Sequence, residues 1–147
     1  MVELRLRDVN EQSLEMVDST NPLPVKIIST ALTAPLLTNY QSGLTTTAIP
    51  IKIGPGRLYA VEVSNPNTVS IWVQLFDLQS GQITLGTTPP KLSMMIPKGA
   101  SATDAGGMDK LWADGVEFTA AITAYATTTP TGLTAPATAL SANFFYK

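Results

Sequence analysis

The chain contains no cysteine and no histidine. Without cysteine there is no disulfide framework, no thiolate nucleophile and no zinc site of the structural kind, and the redox compartment leaves no mark. Without histidine the commonest general base and the commonest metal ligand are missing, and so is any Ser-His-Asp arrangement. Charge is scarce as well. Only 14% of residues are charged, against about a quarter in an average globular protein. No basic run occurs and the net charge is -2, which argues against a nucleic-acid partner, whose phosphates call for a basic patch. No apolar run approaches the ~20 residues of a membrane helix, and Glu3, Arg5, Arg7 and Asp8 interrupt any secretory signal. The expectation is a soluble protein made in the cytoplasm, with no membrane partner.

The chemistry that remains is thin. The nucleophile elbow G-x-S-x-G does not occur. Gly81 to Thr88 has the two glycines of a phosphate-binding loop, but Thr87 stands where the lysine must be. Asp104, Asp109 and Asp114 flank a glycine-rich stretch, and hard cations use loop carboxylates. Their spacing departs from the calcium loop and Lys110 sits among them, so solvated acids are the simpler reading. Asp77, Glu62 and Glu117 are available as a glycosidase pair in principle, yet carboxylates occur in every protein. Neither an enzymatic activity nor a metal or cofactor is expected.

What the chain does have is threonine, the neutral strand former, and clear punctuation. Gly54-Pro55-Gly56 and Asn65-Pro66-Asn67 bracket a run in which Tyr59, Val61 and Val63 alternate with Ala60, Glu62 and Ser64. With Ser70–Asp77 this reads as a hairpin. Further strands are expected at Thr45–Ile53, at Gln82–Leu85, at Lys91–Ile96, and at Ala100–Asp104. The longest is expected at Val116–Tyr125, and Leu140–Tyr146 closes the chain. Met108–Ala113 suggests one helical turn. The uncharged stretch from Ala126 to Thr138 reads as a loop between the last two strands, either a solvated linker or a projecting contact. Several short strands between Gly, Pro and Asn turns predict an all-β fold, an antiparallel β-sandwich that is jelly-roll-like, with an extended N-terminal arm.

The arm is marked by composition. Seven charged residues crowd into Met1 to Asp18, and thirteen serve the rest of the chain. We divide the sequence into an arm and linker at 1–44 and a sandwich body at 45–147. Val2, Leu4 and Leu6 alternate with Glu3, Arg5 and Arg7, a strand apolar on one face. Such a strand pairs either with its own sheet or with the exposed edge of a neighbour. Extended, the ~25 residues before Val25 reach roughly 80 Å at about 3.3 Å each, enough to touch a second molecule. In the second strand of the hairpin, Trp72 and Phe76 fall on the face opposite Ile71, Val73 and Leu75. Two exposed aromatics together call for a cover, supplied either by the same chain or by a symmetry mate. Val2, Leu4, Leu6, Trp72 and Phe76 are therefore the candidate interface residues.

The run GPGRLYAVEVSNPN-TVSIWVQLFDLQSG, followed by PPKLSMMIPKGAS, KLWADGVEFTAAITA and LSANFFYK, resembles small β-sandwich structural proteins of tailed bacteriophages. The resemblance covers about 54–147 and leaves out the arm and the Thr/Pro-rich loop. It implies a non-enzymatic virion component: a cement or decoration protein, often a trimer, bound to the major capsid protein, or a tail or fibre module. A charged arm on a neutral body suits a capsid clamp, whereas a fibre module is expected as the terminal domain of a longer chain. The alternative from another class is a carbohydrate-binding sandwich at a tail tip, with Trp72, Phe76, Tyr40 and Trp112 as a sugar-stacking platform.

Overall fold

The computed structural model describes residues 35–100 and 104–147. Val2, Leu4 and Leu6 and the rest of the arm up to residue 34 lie outside the described residues, as does the middle of Ala100–Asp104. Eight strands follow in order: β1 (Leu37–Leu44), β2 (Ile49–Ile53), β3 (Gly56–Asn65), β4 (Ile71–Phe76), β5 (Leu92–Ile96), β6 (Gly106–Phe118), β7 (Ala121–Thr127) and β8 (Leu140–Tyr146). They form two four-stranded sheets, ordered β1-β8-β3-β6 and β2-β7-β4-β5, and every pairing is antiparallel. Each strand crosses to the opposite sheet from its predecessor, except β5, which stays beside β4. This is the eight-stranded jelly-roll order. The only helical piece among the described residues is a 3-10 turn at Ser80–Gln82.

The core is what two facing sheets bury between them. Leu58, Val61 and Val63 of β3, Phe118 of β6 and Phe144 of β8 come from one sheet. Ile71, Val73 and Leu75 of β4, Ile96 of β5, and Ile122 with Ala124 of β7 come from the other. The register of β3 slips between Leu58 and Ala60 against both neighbours. That slip puts Leu58 rather than Tyr59 in the core, and Tyr59 lies instead beside Gly115, where φ is 67°. A side chain at Gly115 would be strained there and would crowd the Tyr59 ring.

The structure corrects the sequence expectations at several points. First, β3 and β4 are not a hairpin, because they belong to different sheets. The Asn-Pro-Asn segment is an arch whose buried amides hold the corner. Asn65 Nδ2 donates to the carbonyls of Val69 (3.0 Å), Ile96 (3.3 Å) and Pro97 (3.0 Å). Its oxygen accepts from the backbone and side chain of Asn67, both at 2.9 Å. Second, the long strand expected at Val116–Tyr125 is two strands, β6 and β7, which change sheets at Thr119-Ala120. Met108–Ala113 is part of β6 rather than helical, and Gln82–Leu85 forms no strand, running from the end of the 3-10 turn into a turn at Leu85.

Third, the compact body begins at Pro35 rather than at 45. Strand β1 lies inside the stretch that the sequence assigns to the arm and linker, and it pairs with β8. It shows no apolar period because it is an edge strand with a polar inward row: Asn39 donates to the Ile51 carbonyl at 3.3 Å and accepts from Gln41. Polar side chains on an edge strand also discourage unwanted pairing.

Candidate functional site

The two sheets present very different outer faces. On β4, Trp72, Gln74 and Phe76 point away from the core and stand opposite Thr127, Tyr125 and Thr123 of β7. Of these six, only Trp72 retains partial exposure; Gln74, Phe76, Thr123, Tyr125 and Thr127 are buried. The cover is the chain's own. Gln74 Nε2 donates to Thr127 Oγ1 at 2.6 Å and to the carbonyls of Thr129 and Gly132 at 3.4 and 3.3 Å. Ser93 Oγ donates to the Pro130 carbonyl at 2.7 Å. At its far end the segment is tied by Asn67, which donates to the Thr138 carbonyl and accepts from the Thr138 amide, both at 2.8 Å. The uncharged Thr/Pro-rich stretch is thus laid against the second sheet and hydrogen-bonded to it, rather than being a solvated linker.

Phe76, expected at an interface, is instead buried within its own chain on the outer face of the second sheet. It is 1% exposed and meets Tyr125 edge-on, with ring centroids 5.4 Å apart. Burial also pushes the Tyr125 phenol above its ordinary range. Trp72 remains half-buried beside Met95 of β5, which is exposed. The four aromatics expected as one sugar-stacking platform are not brought together. Phe76 is buried, Trp72 lies on the outer face of the second sheet, Trp112 packs against the edge of the core, and Tyr40 lies on β1.

At the corner between β6 and β7, the Asp77 carboxylate takes the place of a backbone ladder. Its Oδ2 accepts from the Thr119 amide at 2.9 Å and the Thr119 hydroxyl at 3.1 Å, and its Oδ1 accepts from the Ala120 amide at 2.7 Å. Lys91 Nζ lies 2.9 Å from Oδ2. Desolvation opposes ionisation here, but the donors from Thr119, Lys91 and Ala120 outweigh it and hold the carboxyl well below the usual range. A carboxylate this fully engaged is a structural clasp and is poorly placed to act as a general acid. Glu117 lies 3.7 Å from Arg57 at the surface. Among the described residues no group of three or more acids is placed to hold a metal ion.

The outer face of the first sheet is different in kind. Tyr40 of β1, Asn143 of β8, Glu62 of β3 and Asp109 of β6 are directly paired in one row across all four strands. Tyr40 is 62% exposed, and Leu111, one row away, is 75% exposed. Among the described residues no loop is laid over this row. Sequence reasoning missed the row because its members are far apart along the chain and join only through the register. No protein-family model, curated protein or solved structure matches the chain.

Proposed function

We propose that this chain is a structural component of a bacteriophage particle, a decoration protein that binds the major capsid protein and stabilises the shell without catalysing a reaction. The observation that carries this reading is the placement of the phage-like segments. They fall on β3 with β4, on β5, on β6 with the start of β7, and on β8, and so supply strands to both sheets. The motif residues are turn, corner and core residues: Asn65 and Asn67 brace the arch, and Asp77 clasps the corner. A resemblance written in such positions is one of architecture, which suits a protein that works by presenting surfaces. Low overall charge supports the same reading, because broad contacts with neighbours desolvate few charges.

The test is co-purification with virions. The expected result is a copy number comparable with that of the major capsid protein, whereas a few copies per particle would move the protein to the tail. Deleting residues 1–24 is expected to leave the sandwich folded by circular dichroism and to abolish capsid binding. Full occupancy by the truncated protein would refute the arm as a clamp.

Self-association, with a trimer as the proposed state, is assigned to the Trp72–Met95 patch. Trp72→Ser is expected to lower the sedimentation coefficient at micromolar concentration with little change in thermal stability. A monomeric wild-type protein would remove this assignment.

A further inference from the structure

We propose that the outer face of the sheet β1-β8-β3-β6 is a binding site for a short saccharide that carries hydroxyl or amine donors and no acid groups. This goes beyond decoration of a shell and does not depend on it. Three observations lead there. The first is the asymmetry between the sheets. The chain lays its own Thr/Pro-rich segment against the second sheet, where it meets the buried Gln74 and Thr127. Among the described residues the first sheet has no such cover, and Tyr40, Glu62, Ser64 and Asp109 are exposed.

The second is a conflict that the fold itself leaves unresolved. Glu62 and Asp109 are directly opposed across β3 and β6. Like charges in that position work against the sheet. The Glu62 carboxylate takes one donor from its own chain, Asn143 Nδ2 at 3.2 Å. A ligand that brings donors to both carboxylates relieves the opposition, and one that brings acid groups worsens it.

The third is the make-up and length of the row. Ionised carboxylates only accept hydrogen bonds, an asparagine amide donates and accepts, and serine hydroxyls do both. Asn143, Ser64 and Ser141 thus complete a mixed set, which matches a polyol better than it matches a lone cation. Tyr40 ends the row with an exposed ring, whose negative face attracts the C–H edge of a sugar or an ammonium group. From Tyr40 to Asp109 is three strand spacings, about 14 Å at ~4.8 Å each. A single guanidinium cannot bridge that distance, whereas a chain of a few sugar rings lies along it. The groove holds about 220 Å³, less than the ~300–1,000 Å³ of an enclosed small-molecule pocket. The ligand therefore lies on the surface across the strands, with the aromatic at one end and the acids at the other.

The experiment titrates the full-length protein with three trisaccharides, of glucosamine, of N-acetylglucosamine and of galacturonic acid, and follows backbone amide shifts. Saturable shifts of Tyr40, Asn143, Glu62 and Asp109 are expected with the first two, tighter with the amine, and none with the acid. Tyr40→Ala and Asp109→Asn are each expected to weaken binding roughly tenfold, while Trp72→Ala leaves it unchanged. All these positions are exposed or half-buried, so the variants retain the fold, and the amide spectrum reports that directly. Absence of saturation with both non-acidic sugars overturns the proposal, as does equal binding of the acidic one. Loss of binding in Trp72→Ala would place the site on the other sheet. Binding of an oligoarginine peptide without any sugar would make the row a docking point for a basic protein segment instead.

Discussion

Replacing Asp77 by alanine is expected to lower stability by about 2–4 kcal/mol, the range for losing hydrogen bonds to a charged group when the donors are left partly buried. The corner at Thr119-Ala120 is where the chain leaves one sheet for the other, so its amides have no strand partner there. The Asp77 side chain is 18% exposed, which lets water replace part of what is lost and keeps the figure away from the upper extreme. The ion pair contributes less. Lys91 is 34% exposed, and Lys91→Ala is expected to cost under about 1 kcal/mol, as exposed pairs do. A Lys91 effect equal to the Asp77 effect would mean that the salt bridge, and not the corner, is the clasp.

The same clasp sets an acid sensitivity whose sign follows from its lowered pKa. A carboxyl that ionises more readily in the folded state than in the unfolded chain, where it titrates near ~3.9, stabilises the fold fully above that value. The contribution shrinks as pH falls through the unfolded value toward the lower folded one. Wild type and Asp77→Asn are therefore expected to differ by a constant margin in melting temperature above about pH 5 and to converge in stronger acid. Parallel curves down to the most acidic conditions would show that the carboxylate charge is not what holds the corner.

Much of the core was legible before the strands were known to change sheets, and the reason is geometric. Val116, Phe118, Ile122 and Ala124 share a parity along the sequence, and all four pack in the core or against it although they belong to two sheets. The two-residue corner preserves the alternation, and the inner faces of both sheets look onto the same core. Periodicity thus found the buried residues while hiding the break. The break had a different signal, Asp77 at the end of an apolar strand, whose partner lies 42 residues away. The arch had its signal in Asn65 and Asn67, which look like ordinary turn residues until their amides are seen to be buried. Strand β1 gave none, because its inward row is polar. The Tyr40–Asn143–Glu62–Asp109 row could not be read at all, since no local pattern encodes a cross-strand register.

Phe76→Ala is expected to cost about 3–5 kcal/mol, the range for truncating a buried aromatic. The whole ring is out of solvent, and its edge-on contact with Tyr125 accounts for about 0.5–1.5 kcal/mol of that loss. The sequence placed Phe76 with Trp72 as a shared surface, and the two positions now make opposite predictions. Trp72→Ser acts on association and depends on protein concentration. Phe76→Ala acts on folding: the guanidinium midpoint falls, the slope stays the same, and dilution changes nothing. The physical distinction is the cover. Gln74, between the two aromatics, fastens the Thr/Pro-rich segment through Nε2 while its buried Oε1 has no partner. A buried amide with an unsatisfied oxygen is costly, and it is tolerated where the other half of the group anchors a segment of the chain. At the Phe76 end the paired Thr123 donates its hydroxyl to the Leu78 carbonyl at 2.7 Å, so the chain after β4 folds back over this part of the sheet. An unchanged midpoint, with self-association lost, would return Phe76 to the interface.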